Sequence, residues 1–328
     1  MKRLEKLTGV GNVQMVDVEV PSPGPQDALV KVKRSLISRG SELFARYVKE
    51  EAVSPEIMGY SDAGAVVDVG AAVAEVQPGD RVMVQAPHAQ YVVRAAGGSG
   101  DRVFALPDGL GYEKATFLPL ANGGLAWSRA TPIQPGDTVV VLGQGLVGNL
   151  YAQAVRARNP GRVIVVDATP LRCSIAANCG ADTVLNAAEI DTVAAIKEQT
   201  DGRGADVVVE CVGGNAGIKS FEQAQRMLRH GGVIHLISKY QAGDGVPGSG
   251  LLPLDSGIMQ ASQIVLGYWN APDPRAHLND TAQMLLDGTI NVEPLITHRL
   301  PWEKTAAAYH MLFNSPEEAL GVIIEWDD

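Results

Sequence analysis

The sequence predicts an α/β protein in which a β-rich unit precedes a doubly wound parallel sheet. Three observations carry that expectation. Residues 1–110 hold short alternating segments, VQMVDVEV, DALVKVKRSLI, GAVVDVG, DRVMVQA and QYVVRA, broken by the turn-forming PSPGP and QPGD. Residues 138–268 instead carry near-continuous apolar runs, TVVVLG, RVIVVDA, TVLNA, DVVVECV, GVIHLIS and QIVLGY, spaced by helical stretches such as NLYAQAVRARN and SFEQAQRMLRH. Strands buried on both faces show no polar alternation, so the second texture marks a parallel sheet covered by helices. A helical stretch from Tyr112 to Ala130 separates the two patterns.

After Tyr268 come a Pro-rich turn (APDPR), a helix (HLNDTAQMLLDG), and a strand, helix and strand closing at GVIIEW. At 328 residues the chain exceeds what one core usually serves. The expected division is a β-rich unit over 1–119, a parallel-sheet unit over 120–272, and a C-terminal segment over 273–328.

Composition narrows the function. The net charge of −10, with no Lys/Arg cluster, argues against a nucleic-acid partner. No window approaches the length of apolar run that a membrane span requires, and MKRLEKLTGVGNVQMVDVEV lacks the apolar core of a secretory signal, so a cytoplasmic location and no membrane partner are expected. The spacing of Cys173, Cys179 and Cys211 matches neither a disulfide framework nor a metal knuckle. Small molecules are the expected partners.

In VVVLGQGLVGNL, residues 139–150, three glycines follow a strand and open a helix. A tight turn, close approach of a pyrophosphate, and close packing of helix on strand each need a residue without Cβ; Gly143, Gly145 and Gly148 supply the three. The helix opening at Leu146 and Val147 would aim unpaired N–H groups at the phosphates. The next strand ends in Asp167, nineteen residues after Gly148, where a carboxylate accepts from both adenosine ribose hydroxyls and repels a 2′-phosphate. The expected cofactor is therefore NAD(H). Asp167 as a mere loop cap is the competing reading. Arg172 is placed for the ribose edge or adenine face, or on the surface.

This order of a β-rich unit, QPGDTVVVLGQGLVG and a βα array resembles the medium-chain dehydrogenase/reductase superfamily, with support from VQPGDRV, ANGGLAW, GADVVVECVGG and VEPLITHRLPWEKTAAAYHML. The likeness spans almost the whole chain. It implies a GroES-like catalytic domain over 1–119, a Rossmann NAD-binding domain over 120–272 and a return segment over 273–328 that completes the catalytic domain. It also implies Val212 and Gly213 in the cofactor site, with Gly213 and Gly214 letting the backbone approach the nicotinamide ribose, and a homodimer joined through the last sheet strand. A plain strand-to-loop turn is the alternative for Gly213 and Gly214.

Many members hold a catalytic zinc, and their ligand positions can be read off here. Where they have Cys-Gly-Thr/Ser-Asp, this chain has Arg39, Gly40, Ser41 and Glu42; where they have Gly-His-Glu, it has Gly59, Tyr60 and Ser61; the third ligand falls at about Leu118. Of the replacements Arg39, Tyr60 and Leu118, none supplies a zinc ligand at neutral pH except a deprotonated Tyr, so a zinc-independent member is expected, with no metal. ISRGSE with VLGQGLVG looks similar to a subgroup that includes the dehydrogenase of a hydroxyethyl side chain in bacteriochlorophyll synthesis and dehydrogenase halves of fused sugar-linked proteins. Secondary alcohols are the implied substrates: a sugar, a cyclitol or a hydroxyalkyl side chain.

Without a metal, hydride transfer still needs a proton relay and donors for the alkoxide-like oxygen. The resemblance puts Ser41 at the relay position and Tyr60 beside it, with Arg39 to lower the phenol's pKa. Two bland readings stand next to these: Tyr60 packing on the adjacent strand, and Ser41 capping the helix SELFARY. Glu42 is read as a structural partner for Arg299. His88 is either a surface histidine or a proton acceptor at the substrate pocket. Tyr268 and Trp269 wall that pocket or pack at an interface. The leading function is a zinc-independent NAD(H)-linked oxidoreductase of secondary alcohols and ketones; a quinone or enone reductase and a non-catalytic nucleotide sensor are the alternatives.

Overall fold

The first strand is one that the apolar pattern does not announce. KRLEK forms β1 (Lys2–Lys6) because Leu4 fills the core while the Lys6 ammonium, also buried, donates to the carbonyls of Leu7 and Glu51 at 2.7 and 3.1 Å. It pairs antiparallel with β2 (Val13–Asp17). The chain continues through β3 (Asp27–Leu36), a short helix over Arg39–Tyr47, β4 (Asp62–Val69), β5 (Arg81–Val84), β6 (Tyr91–Ala95), β7 (Val103–Ala105) and α1 (Tyr112–Ala115). Then come α2 (Leu118–Ala130), β8 (Thr138–Leu142), α3 (Leu146–Arg156), β9 (Arg162–Asp167), α4 (Pro170–Asn178), β10 (Thr183–Asn186), α5 (Thr192–Gln199), β11 (Ala205–Glu210), α6 (Gly214–Met227), β12 (Leu228–Leu236) and β13 (Gln263–Leu266). Last are α7 (Leu278–Asp287), β14 (Ile296–Pro301), α8 (Thr305–Asn314) and β15 (Gly321–Glu325). This computed structural model describes residues 1–97, 102–238, 252–267 and 276–326.

The chain divides into two units, one of Met1–Pro119, Asn279–Gly288 and Leu295–Asp328, the other of Leu120–Leu278 and Thr289–Pro294. In the first, β14, β15, β3, β4, β5 and β7 form a sheet in that order, with β6 also on β3. The C-terminal strand β15 runs antiparallel to β3 through Ile323 and Leu36. One core joins early and late residues: Leu4, Val32, Leu43 and Val82 with Tyr309, Val322, Ile324 and Trp326.

In the second unit six parallel strands run in the order β10-β9-β8-β11-β12-β13. Two cores explain the unbroken apolar runs. Val140, Ile164 and Val208 point to one face of the sheet and Val139, Val163 and Val207 to the other, so both alternate sets are buried. The helices start where the sequence allows: Asp191 accepts from the N–H groups of Val193 and Ala194 ahead of α5, and Pro170 takes the first turn of α4. The helical reading of SFEQAQRMLRH overruns its end, because residues 228–230 belong to β12. Leu228 pairs with Ala205 there, and the Arg229 guanidinium meets Asp206 at 2.5 Å, so sheet partners outcompete helical periodicity.

Candidate active site

In the second unit the three glycines have three different causes. Gly143 sits at φ +87°, where its N–H reaches the Val166 carbonyl at 2.7 Å. A Cβ on Gly148 would lie 1.8 Å from the Gly143 carbonyl oxygen, so only glycine lets α3 pack this close to β8. A Cβ on Gly145 would meet nothing within 4 Å: the space in front of the helix start is open. Gly145 precedes Leu146 and Val147 without a side-chain cap, leaving the first-turn N–H groups for a ligand.

Asp167 is 8% exposed and closes this loop from below. One carboxylate oxygen accepts the Gln144 N–H at 2.7 Å, the other the Thr169 N–H at 2.8 Å, and Arg172 Nη1 lies 3.7 Å away. The capping reading of Asp167 is thus realised, and the second lone pair of each oxygen is what a ribose would use. Val212 and Gly213 follow β11; Gly213 has φ +64° and Val212 is exposed. Sequence reasoning passed over Glu210, fully buried at the end of that strand, whose carboxylate takes the Val212 N–H at 2.8 Å and the Ser238 hydroxyl. Its signal was an acid ending an apolar strand, as at Asp167.

In the first unit the structure rearranges the expected partners. The Tyr60 hydroxyl donates to Ser38 Oγ at 2.6 Å. Ser41, half-buried, makes no side-chain hydrogen bond of this kind and is not the helix cap: the helix begins at Arg39, after Ser38. Glu42 folds back so that its Oε1 accepts the Ser38 N–H at 2.8 Å, while the Glu42 N–H donates to the Ser38 carbonyl at 2.9 Å. Arg39 Nε donates to the Leu312 carbonyl at 3.3 Å, and its guanidinium lies 5.0 Å over the Phe44 ring.

Two further expectations are corrected. Glu42 does not pair with Arg299, which forms a two-pronged pair with Glu113 at 2.8 Å on each prong. His88 is not a surface residue but wholly buried, because both ring nitrogens find carboxylates: Nε2 to Glu42 Oε2 at 3.0 Å and Nδ1 to Asp62 Oδ1 at 3.3 Å. Tyr309 donates to Glu42, and Ser35 to Asp62. Burial alone would push the imidazole down, but the charge of Glu42 and the bond to Asp62 push it up to about 10. Against its own burial Glu42 is held below the usual carboxylate range by His88, Tyr309 and Ser38, while burial raises Asp62. Tyr268 and Trp269 lie outside the described residues.

A strand, glycine turn and helix with an acid closing the next strand, in a chain that also holds a β-rich unit completed by its own C-terminus, define a nicotinamide-linked oxidoreductase of the medium-chain class. Residues 24–132 match the alcohol dehydrogenase GroES-like domain and residues 147–272 the zinc-binding dehydrogenase family. The chain is 27% identical to sorbitol dehydrogenase of Bacillus subtilis, over 97% of this chain and 96% of that one. It is also 27% identical to the NADP-dependent isopropanol dehydrogenase of Entamoeba histolytica, over 100% and 97%. The crystal structure of 2R,3R-butanediol dehydrogenase from Bacillus subtilis superposes with a TM-score of 0.81 at 20% identity, covering 99% of each chain, and shares the fold. The protein belongs to the zinc-type alcohol dehydrogenase family of the medium-chain superfamily and is an alcohol dehydrogenase-type enzyme.

Membership implies a zinc ion, and the residues present do not fit one. Arg39 stands at the thiolate position and a guanidinium offers no lone pair; Leu118, fully buried, offers none either. His88 has already committed both nitrogens to carboxylates. Among the described residues no three His, Cys, Asp or Glu side chains converge to hold a metal. A dinucleotide fits by contrast, through the open space at Gly145, the uncapped helix start and the acid at Asp167.

Proposed function

We propose that this enzyme transfers hydride between NAD(H) and a secondary alcohol or ketone without zinc, with Tyr60 and Ser38 handling the proton. The observation that carries this reading is the hydroxyl pair Tyr60–Ser38 at 2.6 Å, with Tyr60 at a position where zinc-holding relatives have a ligand and Ser38 next to Arg39, which stands at another. Gly143, Gly145, Gly148 and the first turn at Leu146 and Val147 hold the pyrophosphate, and Asp167 the adenosine ribose, with Val212 and Gly213 on the nicotinamide side. When bound, the nicotinamide accepts or supplies the hydride. As the carbinol carbon loses hydride its oxygen must lose a proton; Tyr60 Oη takes that proton and passes its own to Ser38 Oγ, which releases its hydroxyl proton to water, and the reverse sequence protonates a ketone. Hydroxyl donors at that oxygen also stabilise its developing charge.

Two assignments extend the proposal. NAD(H) is preferred over NADP(H), because the Asp167 carboxylate would face a 2′-phosphate. The enzyme works in the cytoplasm as a homodimer; three free thiols fit a reducing compartment, and β13, the last strand of its sheet among the described residues, leaves Ile264 41% exposed.

Absorbance of reduced nicotinamide tests the reading, with NAD+ against alcohols and NADH against ketones and enones. Alcohol–ketone turnover that falls by about 10²- to 10⁴-fold in Tyr60→Phe, at unchanged NADH affinity, is the expected result. Turnover confined to enones, or binding without turnover, overturns it.

A further inference from the structure

Residues 38–42 and 59–62, which bear the two hydroxyls, are joined by a cross-link of buried ionic groups. Glu42, His88 and Asp62 are each 0% exposed. The His88 ring bridges the two carboxylates through its two nitrogens, at 3.0 and 3.3 Å. On one side Glu42 carries the restraint to Ser38 through the N–H at 2.8 Å. On the other, the His88 N–H donates to the Met58 carbonyl at 2.8 Å, and Gly59, at φ +119°, lies so close that a Cβ would sit 2.8 Å from His88 N and 3.0 Å from the ring. Tyr60 is the next residue. Asp62 is anchored in turn by Ser35, whose oxygen accepts Trp326 Nε1–H at 2.7 Å.

Stability is a poor explanation for this arrangement. Burying a cation between two anions is often no better than apolar packing of the same volume, and here Asp62 Oδ2 and Ser61 Oγ stay buried without a partner. What a rigid ring with two opposed donors supplies is a fixed spacing between two chain segments.

We propose that His88 is a positioning residue: gripped by Glu42 and Asp62, it locks the Ser38 turn to the Gly59 segment and so keeps the Tyr60 phenol on Ser38 Oγ. This rests on the reading of Tyr60 as proton carrier, and the two are tested separately. Full-length protein is labelled with ¹³Cζ-tyrosine, and the Tyr60 resonance among the eight tyrosines is assigned with Tyr60→Phe. Ser38→Ala defines the resonance of a phenol without its acceptor. His88→Gln is expected to move the signal at least about halfway to that position and to lower kcat about tenfold or more, with KM for NAD(H) within about twofold. In the Tyr60→Phe background the same substitution should cost less than about twofold, because the residue it positions is gone. A Tyr60 resonance unmoved by His88→Gln, or an equal loss of kcat in both backgrounds, overturns the proposal. If Tyr60→Phe keeps full turnover, the proton-carrier reading fails, while the resonance still decides whether His88 sets Tyr60. Should His88→Gln not fold, Asp62→Ala, which removes the acceptor at the other end of the link, is judged by the same shift.

Discussion

As proposed, the Asp167 carboxylate has a second job beside the one seen in the loop, and the two can be separated. Its oxygens each hold a peptide N–H, from Gln144 and Thr169, and its charge is what would discriminate against a 2′-phosphate. Asp167→Asn keeps one acceptor and leaves one buried donor without a partner, at a cost of about 1–3 kcal/mol in stability. The loss of charge is a different quantity, read as the ratio of kcat/KM for NAD+ to that for NADP+. That ratio should fall about tenfold or more on an order-of-magnitude basis of one charge–charge contact near the surface. A ratio unchanged in the folded variant would remove Asp167 from cofactor choice. Arg172 Nη1 lies 3.7 Å from the same carboxylate.

At the scale of elements, the 39–47 helix, β4 and α8 each bring one buried titratable group to His88. Facing His88 are Glu42 from the helix, Asp62 from β4 and Tyr309 from α8, whose ring centroid is 6.5 Å away. A histidine at about 10 in the folded state, against an ordinary value of 6.5, binds its proton more tightly when folded. Its contribution to stability is therefore complete below pH 6.5 and disappears as pH rises through about 10. Tyr309, raised by its burial and by Glu42, acts in the same direction at higher pH. Urea unfolding should show stability declining from pH 7 toward pH 10, with a flatter profile in His88→Gln. An identical slope in both proteins would mean the imidazole titrates as in the unfolded chain.

For the whole molecule, two measurements bear on assembly and metal. Among the described residues β13 is the last strand of the six-stranded sheet, with Ile264 41% and Leu266 66% exposed. In the homodimer proposed here Leu266→Lys should convert the dimer to monomer in sedimentation; a monomeric wild-type protein would end that proposal. The mismatch at Arg39, Tyr60 and Leu118 predicts that dialysis against a chelator leaves turnover unchanged and that the purified enzyme carries well under one zinc per chain. Stoichiometric zinc would contradict it.

The amino-acid sequence by itself determined the two-part α/β architecture, the nucleotide loop and the identity of the residues at the metal-ligand positions. Those features are written locally: apolar period, glycine spacing, an acid at the end of a strand. Tertiary structure decided who meets whom. Ser38 rather than Ser41 accepts from Tyr60 because the helix begins at Arg39, ahead of the start that a Ser41 cap implies. Glu42 turns to His88 and Tyr309, residues 46 and 267 positions away, instead of Arg299. Long-range pairing of buried charges leaves no periodic trace in a sequence, since it is set by which segments the sheet register brings together. For the same reason His88, flanked by Pro87 and Ala89 in QAPHAQY, reads as exposed until the fold supplies its two carboxylates.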